Sequence, residues 1–154
     1  MGRPVLPFAL IGALVAGCSL ATPSGGPPTA PAFNVQITTA DGPVGLVRNN
    51  DSIELYLQSP DGGTHKVTST PSASAPTVHL YTEGGDTGRH LNTFVFGDAP
   101  AGATAVIVNG TRTNVTDGLY VVGLAVSELL PDAVVWSFHG ASDQVIAQGS
   151  GIKN

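Results

Sequence analysis

Four residues with metal-binding side chains stand close together near the middle of the sequence. They are His79, Glu83, Asp86 and His90, two imidazoles and two carboxylates. Such groups are suitable ligands for a divalent metal ion. However, they form no HExxH motif, which is the usual signature of a zinc hydrolase helix. A metal-binding protein or a small extracellular hydrolase using residues 79–90 is therefore an alternative hypothesis, and the primary prediction assigns no metal residue.

The same region contains the most polar loop of the chain, residues 82–90. Its candidate contact residues are Glu83, Asp86, Arg89 and His90. Loops carried on a rigid β scaffold commonly hold binding residues. We therefore expect these four side chains to form a contact site, with solvated charges that bind nothing as the alternative.

Other catalytic patterns are absent from the sequence. It has no Gly-x-Ser-x-Gly elbow, no phosphate-binding glycine-rich loop and no Asp-x-Asp-x-Asp calcium loop. The single cysteine, Cys18, lies near the N-terminus, and Ser150 lies between two glycines in an expected C-terminal tail. We therefore predict a non-enzymatic domain with no catalytic residue and no cofactor.

The composition limits the class of partner. The chain has 154 residues and a net charge of -5, and its six lysines and arginines never cluster. Phosphate backbones bind clustered cations, so nucleic acid is excluded as an expected partner. Hydrophobic residues make up 42% of the chain, which argues against a wholly disordered protein.

Short apolar runs separated by turn residues predict an all-β domain. Residues 53–58 alternate between apolar and polar side chains, and residues 64–68 are expected to return as the second arm of a hairpin. Asn109-Gly110, between two β-forming arms, is the strongest hairpin signal. About nine or ten strands favour an antiparallel two-sheet sandwich, immunoglobulin-like in the broad sense, with a closed β-barrel as the alternative. One helical turn is possible over residues 126–130, before Pro131.

The aromatic residues divide into two predicted groups. We expect a buried group because its members alternate along strands: Phe94, Phe96, Trp136 and Phe138. We expect a second, outward-facing group that could line a binding surface: Tyr56, Tyr81 and Tyr120.

The N-terminus has the features of an export signal. Arg3 precedes an apolar segment at residues 5–16, which is shorter than the roughly 20 residues that a membrane-spanning helix needs. The segment ends in Leu-Val-Ala-Gly-Cys, residues 14–18, which resembles the lipobox of bacterial lipoproteins. The resemblance implies cleavage between Gly17 and Cys18, lipid on the Cys18 thiol and the extracytoplasmic side of a cell membrane as the location. An ordinary signal peptide is the alternative.

The predicted organisation follows from these boundaries. Residues 1–17 form the signal peptide, 18–32 the lipidated N-terminus and a proline-rich tether, 33–149 the β-sandwich, and 150–154 a tail. Within the domain, residues 96–103, the Asn109 hairpin and residues 136–138 resemble uncharacterised secreted domains of high-GC Gram-positive bacteria, a likeness that implies no activity. The expected function is a membrane-anchored lipoprotein with a binding, sensing or envelope-interaction domain. A purely structural envelope spacer is a further alternative.

Overall fold

The computed structural model describes residues 31–59, 61–84, 88–126 and 128–154. These residues form eleven strands and one short 3-10 turn, with no α-helix among them. The strands are β1 (Val35–Thr39), β2 (Gly42–Arg48), β3 (Ser52–Gln58), β4 (Thr64–Pro71), β5 (His79–Thr82), β6 (Thr93–Asp98), β7 (Ala105–Val108), β8 (Thr111–Asn114), β9 (Leu119–Leu124), β10 (Val135–His139) and β11 (Val145–Ser150).

The strands pair into three antiparallel sheets. The first outer sheet has the order β1-β2-β3-β4, and the second outer sheet has the order β11-β10-β7-β8. The central sheet contains β5, β6 and β9, with β6 in the middle. The all-β antiparallel sandwich is thus confirmed, but it has three sheets instead of two, and none of them closes into a barrel within the described residues.

The alternation along β3 builds the first half of the core. Ile53, Leu55 and Leu57 are fully buried, because every second side chain points to the same face of a strand. They pack against Phe94 and Phe96 of the central sheet. This cluster fills the space between the first outer sheet and the central sheet.

The other face of the central sheet builds the second half of the core. Val95 and Tyr120 point away from the first cluster and pack with Val134, Trp136 and Phe138. The Tyr120 and Phe138 rings meet edge to face with centroids 5.3 Å apart. Because apolar layers cover both of its faces, all six residues of β6 are buried.

The two predicted hairpins are confirmed. β3 pairs with β4, and β7 pairs with β8 through the Asn109-Gly110 turn. Asn109 and Gly110 have φ values of 45° and 83°, the positive angles that a tight hairpin turn of this kind requires.

Several local predictions differ from the structure. Gly42–Arg48 forms a strand that the sequence did not indicate, since Gly42, Pro43 and Gly45 interrupt its apolar pattern. The helical turn is at Pro131–Ala133 instead of residues 126–130, and it begins with the proline, which is accepted at a first helical position. β4 also continues to Pro71, three residues beyond the end of the hairpin arm predicted at residues 64–68.

The predicted C-terminal tail is part of the fold. Ser150 pairs with Val135 in β11, and the Gly151 amide donates to the Val134 carbonyl oxygen at 2.7 Å. Lys153 then forms an antiparallel bridge with Val78 beside the central sheet. The boundary predicted at residue 149 therefore falls inside a strand.

The aromatic predictions are confirmed for one group and wrong for one member of the other. Phe94, Phe96, Trp136 and Phe138 are all buried. Tyr120 was expected to face outward, but it is fully buried, and its hydroxyl donates to the Thr77 carbonyl oxygen at 2.9 Å. The hydroxyl has a partner inside the core, which makes burial of the tyrosine possible.

Candidate functional site

The first outer sheet and the central sheet are joined by a side-chain contact at each end of their strands. At one end, called the pocket end after the pocket described below, Arg48 at the end of β2 contacts Asp98 at the end of β6. At the opposite end, called the loop end, Asp41 in the β1–β2 turn contacts His90 in the segment between β5 and β6. The candidate residues from the sequence are divided between these two ends.

The loop end holds three of the four predicted contact residues. The Arg89 Nε atom lies 3.1 Å from Glu83 Oε2, and both side chains are only 11% exposed. Arg89 also donates to the Gln58 carbonyl oxygen on β3. Asp86 lies outside the described residues. Glu83 and Arg89 are thus engaged within the protein, and Arg89 attaches this segment to the first outer sheet.

His90 is attached to the same sheet. Its Nδ1 and its backbone amide each lie 2.8 Å from a carboxylate oxygen of Asp41. Burial raises the pKa of Asp41, but hydrogen bonds from His90 and Leu91 outweigh it and hold that pKa below its usual value. The imidazole remains largely exposed and is more accessible than the side chains of Glu83 and Arg89.

The structure does not bring the two histidines of the predicted metal cluster together. His79 begins β5 opposite Phe96, whereas His90 follows the far end of that strand, beyond the Thr82–Thr93 pair. Among the described residues, no group of three or more His, Cys, Asp or Glu side chains could hold a metal ion.

His79 instead lines a pocket at the pocket end of the sandwich. This pocket, called the polar pocket for its hydroxyl, amide and imidazole groups although most of its surface is apolar, has a volume of about 300 Å³. It lies between the end of β4, the start of β5 and the last described residue. Its lining residues are Ser69, Thr70, Pro71, Ala73, His79 and Asn154. Strand alternation places Thr70 with its side chain half-buried, whereas Pro71 and Ala73 are exposed at the rim.

Buried polar atoms without a protein partner concentrate at this pocket. His79 is only 7% exposed, and its Nε2 atom has no hydrogen-bond partner among the described residues. The same holds for Thr70 Oγ1 and for Ser72 Oγ in the adjoining segment. Most buried polar groups in proteins are paired, and leaving one unpaired costs about 1–3 kcal/mol. Two of these atoms, Thr70 Oγ1 and His79 Nε2, belong to residues that line the pocket, so a molecule bound there could supply their missing hydrogen bonds.

The His79 imidazole is uncharged at neutral pH. Burial lowers its pKa, although the negative charge of Asp98 and a hydrogen bond to Asn154 act in the opposite direction. The ring also lies against Phe96, with centroids 5.5 Å apart. The pocket therefore presents a neutral imidazole fixed against an aromatic residue.

The charges near the pocket compensate each other. One Arg48 Nη atom lies 2.6 Å from Asp98 Oδ1, and the Thr77 hydroxyl lies 3.3 Å from Asp98 Oδ2. The backbone amide of Asp98 donates to that same hydroxyl at 2.7 Å. The Asp98 carboxylate is therefore balanced by Arg48 and hydrogen-bonded by Thr77.

A second arrangement lies on the second outer sheet, and sequence analysis missed it. Ser137 Oγ lies 2.9 Å from His139 Nε2, because alternate residues of β10 share a face. His139 Nδ1 lies 3.1 Å from the Asp143 carbonyl oxygen and 3.4 Å from Asp143 Oδ1. Arg112 contacts the same carboxylate at 2.9 Å. The only sequence signal was Ser-x-His within a predicted strand, which has no specificity by itself.

A groove of about 460 Å³ adjoins Ser137. Its walls come from β7, the Asn109-Gly110 turn, β10 and β11, including Ile107 and Val135. Gln148, which also lines the groove, lies directly opposite Ser137 in the pairing of β10 with β11. A hydroxyl, a base and an open groove therefore lie side by side on this face.

Comparison with known proteins gives no relative from which a function could be transferred. No protein-family model, no curated protein and no solved structure matches the chain. Gly17 and Cys18, the predicted processing residues, lie outside the described residues. In the part of the chain that the structure describes, no helix is long and apolar enough to cross a membrane.

Proposed function

We propose that this protein is a membrane-anchored extracytoplasmic lipoprotein whose β-sandwich binds a small ligand in the polar pocket. The observation that carries the binding part is the pair of unpartnered buried atoms, Thr70 Oγ1 and His79 Nε2, on residues that line one pocket. The lipobox-like segment ending at Cys18 supports the anchored part. A purely structural spacer would need no such pocket.

The binding part is tested by mapping small-molecule contacts with backbone amide resonances. A fragment library containing neutral, anionic, cationic and apolar compounds is titrated into the folded protein. We expect chemical-shift changes to cluster at Thr70 and His79. Ala73→Trp should abolish them by filling the exposed rim of the pocket, whereas Ser74→Trp, on an exposed neighbour outside the lining, should leave them intact. Shift changes that never involve the pocket would contradict the proposal.

The anchor is tested by the intact mass of the protein extracted from membranes. We expect a chain starting at Cys18 with added acyl mass, and loss of both the added mass and membrane retention in Cys18→Ala. At least two acyl chains are needed for stable anchoring, so a mass increase of that size is expected. Cleavage elsewhere without lipid would identify an ordinary exported domain.

A second candidate function is supported by the Ser137–His139–Asp143 contacts. A hydroxyl within reach of an imidazole that is oriented by a third group is the usual arrangement of a nucleophilic serine. This geometry moves the hydrolase alternative from residues 79–90 to residues 137–143. In such a reaction, Ser137 Oγ would attack the acyl carbon of an ester while His139 Nε2 accepts the hydroxyl proton. The ester C–O bond would then break, the imidazole would pass the proton to the departing alcohol oxygen, and water would release the acyl group from Ser137.

A fluorophosphonate probe tests this second function directly, since it reacts covalently with activated serines. Labelling should map to Ser137 and disappear in Ser137→Ala and His139→Gln. Ser59→Ala provides the matched control, because Ser59 also contacts a histidine, His65 Nδ1 at 2.7 Å. Absence of labelling in the wild-type protein would rule out the nucleophilic role.

A further inference from the structure

We infer that the ligand of the polar pocket is a small uncharged molecule bearing several hydroxyl groups, such as one sugar unit or a cyclic polyol. This inference rests on the proposed binding function and adds the chemical class of the ligand. It follows from three properties of the pocket: its charge, its hydrogen-bonding groups and its size.

The charge of the pocket argues against ionic ligands. Burial lowers the pKa of His79, so that its ring is neutral, and the lining residues are otherwise hydroxyl, amide and apolar groups. The Asp98 charge that acts on the His79 ring is already paired with Arg48 at 2.6 Å. An anion or a cation entering this space would lose hydration without gaining a counter-charge from the side chains that line it, which is strongly unfavourable.

The unpartnered atoms fit hydroxyl groups better than other polar groups. Of the pocket's lining residues with an unpartnered atom, Thr70 carries a hydroxyl that can donate one bond and accept others, and the neutral His79 imidazole has one donor and one acceptor nitrogen. A carbonyl group can only accept, and an ammonium group can only donate. A ligand hydroxyl does both, and it can therefore pair with His79 Nε2 in either tautomer.

The size and the rim restrict the ligand to one small ring. The volume of about 300 Å³ lies at the lower end of the range for ligand pockets. Pro71 and Ala73 supply apolar surface at the rim, which suits the C–H faces of a saturated ring. A single sugar unit or polyol combines such faces with hydroxyl groups, whereas a long polymer would extend beyond the pocket.

The test compares neutral hydroxylated probes with matched analogues by amide chemical-shift titration. The neutral probes are methyl glucoside, myo-inositol and glycerol. The analogues are glucuronate, glucosamine and tetrahydropyran, which change the charge or remove the hydroxyls. We expect at least one neutral probe to shift the Thr70 and His79 resonances with a Kd at least about tenfold below those of the analogues, the effect of about one hydrogen bond.

Two variants examine the hydrogen bonds of the pocket. Thr70→Val keeps the side-chain shape and should weaken binding of the best neutral probe about tenfold, as should His79→Phe. Thr64→Val provides the control, because it lies on the same strand at the loop end and should leave the Kd unchanged. An unchanged Kd in Thr70→Val and His79→Phe would overturn the inference.

The outcomes separate this inference from the proposed function. If charged or hydroxyl-free analogues bind the pocket as tightly as the neutral probes, the ligand class is wrong and the pocket remains a binding site. If none of the three neutral probes binds while other fragments shift the pocket resonances, the class is also wrong. If nothing shifts those resonances, both the inference and the binding function fail.

Discussion

The Arg48 guanidinium lies 2.6 Å from the Asp98 carboxylate and joins the first outer sheet to the central sheet at the pocket end. The Asp98 side chain is only 7% exposed, whereas that of Arg48 is 37% exposed. The pair therefore neutralises a nearly buried carboxylate next to the wall of the polar pocket, and it couples the stability of the sandwich to the geometry of the site.

Arg48→Gln should destabilise the protein, because it leaves the Asp98 carboxylate buried with weaker partners. We expect a loss of about 1–3 kcal/mol in the free energy of unfolding, the usual effect of losing a hydrogen bond to a charged group. Chemical denaturation measures this change. Lys66→Gln removes the more exposed ion pair with Glu54 and should have little effect; an equal loss in both variants would contradict the assigned role of Arg48.

Lowering the pH from neutral should destabilise the protein through His79. Burial holds its folded-state pKa below the usual value of 6.5, so between the folded and unfolded values the unfolded chain binds more protons. The stabilising contribution of the neutral ring is therefore complete above 6.5 and decreases as the pH falls through that value. The free energy of unfolding should drop less in His79→Gln than in the wild-type protein between about pH 7.5 and about pH 5.

Carboxylates such as Glu54 titrate at lower pH than His79, so their effect on the free energy of unfolding can be distinguished from that of the histidine. Hydrogen bonds from Lys66 and then Tyr56 lower the pKa of Glu54 from 4.5, so its contribution disappears only at more acidic pH. A wild-type curve and a His79→Gln curve that coincide above pH 5 would show that His79 does not titrate as expected.

Tyr120→Phe should destabilise the core without changing its volume greatly. The substitution removes the 2.9 Å hydrogen bond to the Thr77 carbonyl oxygen, and that oxygen is left in a buried region. We expect a loss of about 1–3 kcal/mol in the free energy of unfolding, measured by chemical denaturation. Tyr56→Phe is the control, since the Tyr56 hydroxyl contacts Glu54 on a half-exposed face and should contribute less.

Gly97→Ala should be among the most damaging small substitutions. A Cβ atom at this position would lie under 3.0 Å from the Thr77 carbonyl oxygen, which is backbone and cannot rotate away. Overpacking of this kind costs about 1–3 kcal/mol. Gly84→Ala is the matched control, because a Cβ atom there meets nothing within 4 Å. Equal thermal unfolding midpoints for the two variants would contradict the close approach of β6 to Thr77.

Local signals in the sequence predicted the hairpins but not the third sheet. The turn at Asn109-Gly110 depends on two adjacent residues, so the sequence identifies it directly. The central sheet depends on which strands pair over long distances, as β5 and β9 both pair with β6. The uninterrupted burial of β6 reflects a strand covered on both faces, a pattern that an alternating two-sheet model does not anticipate.

The polar pocket was unpredictable for the same reason. In the sequence, His79 belongs to the alternative metal-binding hypothesis because it lies close to Glu83 and His90 along the chain. The folded structure separates His79 from His90. Its actual neighbours, Thr70 and Asn154, come from distant segments. The outward orientation predicted for Tyr120 is wrong for a related reason. Its burial depends on the Thr77 carbonyl oxygen as a hydrogen-bond acceptor, and Thr77 is distant in the sequence.

The start of β1 has a consequence for how the protein would sit on a cell surface. The Arg48 backbone amide donates to the Asn34 side chain at 2.7 Å, which places the entry of the chain into the domain at the pocket end. If Cys18 carries lipid, as proposed, the chain that leads to the membrane joins the domain at the same end as the pocket, and His90 lies at the opposite end of the sandwich. A bulky group added close to Asn34 would then come between the attachment point and the pocket, whereas the same group at His90 would not.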